Sequence, residues 1–522
     1  MVFPTGQRTL AWVLEYRAQA HPDRPALIFE SAAGEVTRFT YGKLDATVNQ
    51  LANALRELGV GHGSKVNLHL PNSVELYLFW FALSKLGAVS VPTNILNTAA
   101  DMAYILSHSE SVAIVTEPTY VDVVETARQS APNVKHQIIA RSNDAPAGWL
   151  QLEKLIGSGS TTSPGLRLAP TDELAMMYTS GTTAKPKGVL VTHASYLFAG
   201  ESLARHIRVT PEDRWIIVLP LFHANALYYS TCSALSVGAS FAVMDRFSAS
   251  RFWDQAIRHE ATLASLFAAP LRMLLAQPRN PAYRHNRVRI VVYAQNINPA
   301  QEDEWHERFG APLCQLYGMT ETMAPNLINP MDFPRKNQSI GLPTLGQEIK
   351  LVDETGQEVE TGQVGQITVR GVPGWTIMKG YFKNPEATAD TIRDGWLYTG
   401  DNAYLDDEGY HYFVDRRKDM IKRGGENVAA SEVEAVINQH PAVFESAVIG
   451  IPDPIRDESI KAFVILKENA TVTEGEIIEW CRTRLAKFRV PEQVELRSEF
   501  PRTSVGKIQK HILRSGELAK VQ

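Results

Sequence analysis

Hydroxyls, glycines and lysines crowd into one stretch, Tyr178-Thr179-Ser180-Gly181-Thr182-Thr183-Ala184-Lys185-Pro186-Lys187-Gly188. Glycine lets backbone N–H groups approach an anion closely, hydroxyls donate further hydrogen bonds, and lysine adds a point charge. Together they make a cradle for a polyphosphate. It is not the Walker pattern, because no Gly-Lys-Ser/Thr leads into a helix. The flanking apolar runs, Leu174 to Tyr178 and Val189 to Val191, read as buried strands, so the stretch is a turn held at both ends. A generic loop of this composition is an ordinary polar hairpin, and the argument for phosphate rests on the ordered string.

The elements around it alternate. A helix follows Thr40, with Leu44, Val48, Leu51, Leu55 and Leu58 on one face and Gly59 as its stop. Val66 to Leu70 reads as a strand, Glu75 to Leu86 as a largely buried helix, and Val89 to Pro92, Ala113 to Val115 and Gln137 to Ile139 as further strands. Strand, helix and strand in repetition mean a parallel sheet covered by helices, an α/β fold. Arg141 to Pro170 shifts to Ser, Gly, Thr, Pro and Asp and reads as exposed connection. Thr192 caps a helix to about Ile207, and Trp215 to Leu219 is a strand that delivers Leu221-Phe222-His223-Ala224-Asn225 to its carboxyl end, where open α/β sheets bind ligands. Strands are expected again at Leu263 to Phe267 and Ile290 to Tyr293. From Ile340 short runs with Gly turns predict antiparallel sheet, a small barrel-like part. Beyond Asp415-Arg416-Arg417-Lys418-Asp419 comes a separate α+β domain of about a hundred residues, within the usual domain range.

A length of 522 residues allows about three or four folding units at roughly 150 residues each. A net charge of −5 without a long basic run argues against nucleic acid and anionic membrane surfaces. Cys232, Cys314 and Cys481 are too scattered for a disulfide framework or a metal pattern, which fits a reducing cytoplasm. The first ten residues lack a signal-peptide pattern, and the longest uncharged stretch, Leu219 to Met244, is diluted by polar residues and Pro220; no membrane span is expected.

The phosphate string, together with four later segments in the same order, resembles the adenylate-forming superfamily of acyl- and aryl-CoA synthetases, peptide-synthetase adenylation domains and firefly luciferase. Ala184 stands where glycine is most common in that loop. The resemblance implies that Thr179, Ser180, Gly181, Thr182, Thr183 and Lys187 hold the phosphates of ATP. Leu316-Tyr317-Gly318-Met319-Thr320-Glu321 resembles the segment whose tyrosine stacks on adenine, whose threonine touches phosphate and whose glutamate helps hold Mg²⁺. Tyr398-Thr399-Gly400-Asp401 resembles the segment whose aspartate accepts both ribose hydroxyls, and a carboxylate is the natural two-site acceptor for a diol. Arg416 matches an arginine near the ribose, Lys418 the hinge, and Lys507 the lysine that bridges the attacking carboxylate and the α-phosphate. His223 matches the gate of the acyl pocket. Lys422, Gly424 and Gly425 match the loop lining the thiol tunnel of CoA ligases. Read singly these are ordinary features: Thr-Glu a helix cap, Gly-Asp a turn, the charged cluster a solvated linker, His223 a core residue.

The implied protein has a large domain, 1–415, for ATP and acid and a small mobile domain, 416–522, carrying hinge, tunnel loop and Lys507. The expected reaction is activation of a carboxylic acid by MgATP to an acyl-adenylate, then transfer to CoA. Resemblance is strongest to bacterial acid–CoA ligases of the crotonobetaine/carnitine-CoA ligase type. Other acceptors stay open at this point: a carrier-protein thiol, an amine or nitrite. A non-catalytic nucleotide-binding protein predicts loss of Lys507 or Glu321, and both are present. A homodimer is compatible with the sequence. The acid pocket is expected to include His223, Asn225, Tyr228, Phe267, Ala294, Gln295 and Asn296. Amides at 295 and 296, where relatives carry small residues, point to a short or aryl acid with a polar substituent, since a buried unpaired amide costs roughly 1–3 kcal/mol.

Overall fold

The buried helix expected after Glu75 is the centre of the fold. The computed structural model describes residues 5–179, 185–416, 419–423, 426–453, 457–503 and 508–521. In it the helix Val74–Leu86 is buried at every residue except Glu75. A helix that is apolar all round must be covered on all sides. Ser73 caps its start by accepting the Leu76 N–H, and Gly87 ends it. Its Tyr77 ring meets Phe241, 5.2 Å between centroids, and its Trp80 meets Tyr196 on the helix His193–His206 at 5.3 Å.

Two large sheets share this core. Among the described residues one has nine strands, in the order Leu342–Pro343, Leu327–Ile328, Leu313–Tyr317, Ile290–Ala294, Leu263–Phe267, Arg214–Ile217, Ser240–Met244, Pro25–Glu30 and Val36–Thr40. The six from Leu313–Tyr317 to Pro25–Glu30 run parallel. The other has eight, Gly380–Tyr381, Lys187–Thr192, Glu173–Thr179, Val89–Pro92, Lys65–His69, Ala113–Thr116, His136–Ile139 and Leu150–Gln151. Here too the last six are parallel, while Glu173–Thr179 and Lys187–Thr192 form the antiparallel hairpin that carries the phosphate string. Strands such as Leu263–Phe267 are buried at every residue, as parallel strands covered on both faces must be. The connection 141–170 holds more structure than its composition suggests. It contains the helix Leu152–Ser158, and the amides of Asn49 and Asn53 donate to the carbonyls of Ser160, Thr161 and Thr162.

The third sheet is antiparallel, built on Ile349–Val352, Gly365–Arg370, Trp396–Leu405 and His411–Arg416. Its longest strand corrects one reading. Gly400-Asp401 is not a turn but lies inside Trp396–Leu405. Pairing with Gly365–Arg370 runs from Gln366↔Asn402 to Thr368↔Tyr398, so the longer strand bulges at residues 399–401, with Gly400 at φ +75°. A bulge supplies the same glycine signal as a turn while keeping the strand going.

The small domain closes the chain. Val443–Asp453 and Asp457–Leu466 form a long antiparallel pair joined by Met420–Arg423, Glu426–Ala429 and Gln493–Leu496. The helices Ala430–Ile437, Glu474–Arg482 and Lys510–Val521 complete it, and its core is separate from that of the large domain. All three cysteines are buried thiols. No helix among the described residues is long and apolar enough to cross a membrane.

Close packing at the centre yields a test. A Cβ added at Gly200 in the helix His193–His206 would lie 2.5 Å from the Cys232 carbonyl carbon. On an open helix face Gly→Ala gains about 1 kcal/mol. Here the backbone of the neighbouring helix must move, and overpacking costs about 1–3 kcal/mol. Gly200→Ala is therefore expected to lower the thermal midpoint; a rise would show that the two helices part freely.

Candidate active site

Three chain segments converge on the carboxylate of Glu321. The strand Leu313–Tyr317 ends at the carboxyl edge of the parallel sheet, and the turn after it buries Glu321. The Tyr381 hydroxyl donates to Glu321 Oε1 at 3.0 Å, and the Thr179 hydroxyl stands 3.4 Å from the same oxygen. The Glu321 carbonyl accepts the Met378 N–H at 2.8 Å, which ties the turn to the strand Gly380–Tyr381. Lys187 Nζ lies 4.8 Å from the centre of the Tyr381 ring. Thr320, partly exposed, precedes Glu321 in the turn. Burial pushes the Glu321 carboxyl above the usual range, and the bonds from its own backbone, Tyr381 and Thr179 and the charge of Arg416 oppose this.

A second group adjoins the first. The Tyr317 hydroxyl donates to Asp401 Oδ2 at 2.8 Å, and Arg416 Nε lies 3.2 Å from Asp401 Oδ1. The bulge at Gly400 sets this geometry, since the Asp401 N–H bonds back to Thr399 Oγ1 at 3.1 Å. Asp401 also faces Arg416 in the strand register. A carboxylate has about four acceptor positions, so these two partners leave room for further donors.

The expected acid pocket is assembled at three strand ends. His223 follows Pro220, to whose carbonyl it donates its N–H at 3.0 Å, and its ring lies 5.0 Å from that of Phe222. The chain then forms a π-helix, Asn225–Thr231, buried at all seven residues. Such helices are rare and cluster at functional sites. Asn225 Oδ1 accepts the Ser265 hydroxyl at 2.8 Å. Tyr228 is buried against Tyr196, ring to ring at 4.9 Å, and its hydroxyl has no partner among the described residues. Phe267 and Ala294 face each other at adjacent strand ends. Gln295 and Asn296 correct the desolvation argument, because both are exposed. Gln295 turns at φ +73°, and Asn296 is held by its neighbours: its side chain accepts from Gln315 and its carbonyl accepts Arg272 Nη2 at 2.9 Å. Exposed amides carry no burial cost, so they do not by themselves narrow the acid.

Lys422 is exposed on the small domain, its N–H donating to Glu458 at 2.7 Å. Ser180, Gly181, Thr182, Thr183, Lys418, Gly424, Gly425 and Lys507 lie outside the described residues. Between the domains is a cavity of about 520 Å³ with largely apolar walls, among them Phe222, Phe247, Pro270, Met273 and Phe444. Arg272 Nη1 crosses there to Glu445 Oε1 at 2.9 Å, and Arg502 bonds the other oxygen of Glu445. Tyr381, Ser265 and Gln315 were not expected in the site; each lies in a plain strand with no motif to mark it.

Residues 14–382 match the AMP-binding enzyme family, and residues 432–507 match the AMP-binding enzyme C-terminal domain. The chain belongs to the AMP-binding enzyme family. It is 37% identical over 513 residues to the crotonobetaine/carnitine–CoA ligase of Salmonella typhimurium, covering 98% of this chain and 99% of that one. Among solved structures it is similar to an anthranilate CoA ligase in complex with anthranoyl-AMP, with a TM-score of 0.91, 28% identity and coverage of 99% and 98%. Similar too is ATP-bound MatB from Rhodopseudomonas palustris, with a TM-score of 0.88, 28% identity and coverage of 97% and 98%. Apo MatB aligns at 0.75 over 98% and 100% of the two chains, so the present arrangement is closer to the ATP-bound form.

In this member of the AMP-binding family the buried carboxylate has a cost that can be read. A folded-state value raised above the unfolded one means stability that is present at low pH and lost as pH rises through the folded value. Glu321→Gln keeps an acceptor for Tyr381 and Thr179 but removes the charge. Its thermal midpoint is expected to exceed that of the unaltered protein at pH 8, with the gap closing as pH falls toward the carboxyl range. A midpoint lower at pH 8 than at pH 5.5, relative to the unaltered protein, would reverse the assigned sign.

Proposed function

We propose that the chain is an ATP-dependent, AMP-forming acid–CoA ligase acting on a short or aryl carboxylic acid with a polar substituent. The reading is supported by the convergence of Thr179, Lys187 and Glu321 beside Tyr317, Asp401 and Arg416, in a chain whose similar proteins include ligases of small acids.

In the first half-reaction a carboxylate oxygen of the acid attacks the α-phosphorus of ATP. The bond to the β-phosphate oxygen breaks, and pyrophosphate leaves. Thr179 and Lys187, with Ser180, Gly181, Thr182 and Thr183, hold the phosphates, Thr320 adds a hydroxyl, and Lys507 bridges acid and α-phosphate. Tyr317 supplies the adenine face, and Asp401 and Arg416 hold the ribose. Glu321 fits Mg²⁺: among the described residues the two side-chain donors that reach it, Tyr381 and Thr179, both use Oε1, and magnesium favours one or two carboxylates together with substrate phosphates. The ion neutralises phosphate charge when bound. Excluding water protects the acyl-adenylate from hydrolysis.

In the second half-reaction the CoA sulfur attacks the acyl carbonyl, the bond to the AMP oxygen breaks, and AMP leaves as the thiol proton is lost. The domains proposed at 1–415 and 416–522 turn about Lys418, so that Lys507 gives way to Lys422, Gly424 and Gly425 beside the thiol. One site then serves two steps that need different neighbours. The present arrangement is assigned to the first step, His223 gates the acid, and the protein is assigned to the cytoplasm. Asn225 with Ser265, the Tyr228 hydroxyl and Phe267 favour a polar or aromatic acid over a long alkyl chain, and Gln295 and Asn296 edge the pocket.

ATP–pyrophosphate exchange across acetate, butyrate, crotonobetaine, hydroxy- and aminobenzoates, cinnamates and palmitate tests the acid, and AMP release with CoA, ammonia, hydroxylamine and nitrite tests the acceptor. A tenfold preference for palmitate, about 1.4 kcal/mol, would defeat the polar pocket. Lys507→Ala is expected to cripple exchange while sparing thioester formation from supplied acyl-adenylate; equal loss in both overturns its role.

A further inference from the structure

The hairpin that carries the phosphate string is gripped at both ends by one helix. Tyr104 and His108 lie four residues apart on Ala99–Ser109, and therefore on one face. The Tyr104 hydroxyl donates to the Pro186 carbonyl at 3.0 Å, on the outgoing side of the hairpin. His108 Nδ1 bonds the Tyr178 hydroxyl at 2.7 Å, on the incoming side. The two rings stack on each other at 5.2 Å, and Tyr104 meets the Tyr178 ring edge-on at 6.4 Å. Lys185 Nζ lies 5.2 Å from the centre of the Tyr104 ring. The same helix reaches the third strand of this edge. The Phe382 N–H donates to the Gly188 carbonyl at 2.8 Å, and the Phe382 ring meets His108 edge-on at 5.7 Å. The helix itself is fixed at its start by a capping box between Thr98 and Asp101.

We propose that Tyr104 and His108 are positioning residues that fix the separation of the hairpin's two ends, and so the stance of Thr179 and Lys187 beside Glu321. This rests on the reading of the hairpin as the seat of MgATP. Backbone pairing alone leaves a hairpin free to splay at its turn, because the last rungs have neighbours on one side only. A carbonyl held on one arm and a phenol held on the other remove that freedom. Neither residue need touch the nucleotide, and the effect falls on the half-reaction that uses the triphosphate.

The variants Tyr104→Phe, His108→Leu and His108→Asn test this. The first keeps the ring and drops only the hydroxyl, and the amide of the third can bond Tyr178 from nearly the Nδ1 position. Each is measured for KM of MgATP and of acid in pyrophosphate exchange, for thioester formation from supplied acyl-adenylate, and for thermal midpoint. Tyr104→Phe and His108→Leu are expected to raise KM for MgATP about threefold to tenfold, the worth of one net hydrogen bond, with the thioester step within about twofold of the unaltered protein. His108→Asn is expected to recover most of the loss. Equal loss in both half-reactions, an unchanged KM for MgATP, or Asn behaving like Leu overturns the proposal. Absence of exchange by the unaltered protein with every acid would instead overturn the reading of the hairpin as a MgATP site.

Discussion

A carboxylate taken out of water is the constraint around which this molecule is arranged. Glu321 is almost fully enclosed, and a lone buried charge is costly enough that proteins surround it with donors or neutralise it. The donors come from far apart in the chain: Thr179 from the phosphate hairpin, Tyr381 from a two-residue strand, and the field of Arg416 from the end of the third sheet. Meeting that need ties the hairpin to the turn after Leu313–Tyr317, and it adds a side-chain bond to the strand Gly380–Tyr381, which also pairs along Lys187–Thr192. The site thus gathers distant segments around a charge whose burial costs stability at neutral pH.

How far the sequence discloses this depends on the range of the interaction. Thr192, with its capping box, and the apolar run of Leu263–Phe267 announce their elements through neighbours a few residues away, and both stand where expected. Gly400 misleads because a glycine at positive φ serves a bulge as readily as a turn; only the partner strand distinguishes them. Gln295 and Asn296 mislead for a related reason. Their place in the chain is right, at the end of Ile290–Ala294, but whether an end is wet or dry is decided by packing that local pattern does not encode. Tyr381 was invisible, since a single tyrosine beside a glycine carries no spacing, and its partner lies sixty residues earlier. The π-helix at Asn225–Thr231 likewise has no periodic signature in so short a run.

Where the two domains meet, charges are paired on both sides of the joint. Ser431 donates its N–H to Asp415 at 3.1 Å, Lys510 binds Glu434 at 2.8 Å, and Arg514 reaches Asp419 at 3.3 Å. Farther out, Glu445 is shared by Arg272 of the large domain and Arg502 of the small one. Lys510–Glu434, Arg514–Asp419 and Arg502–Glu445 lie within the small domain, whereas Ser431–Asp415 and Arg272–Glu445 cross the joint, and losing Arg272 would leave Glu445 short of a partner drawn from the other domain.

The three cysteines take on another meaning in a protein that holds a mixed anhydride. Burial pushes the Cys314 thiol up to about 12 and the Cys481 thiol to about 11, and it raises Cys232 further still. Thiolate is the reactive form of sulfur, so none of these side chains competes for an activated acyl group. The chain's own cysteine sulfur is thus kept as buried thiol, the opposite of the exposed thiolate that the second half-reaction asks of its acceptor.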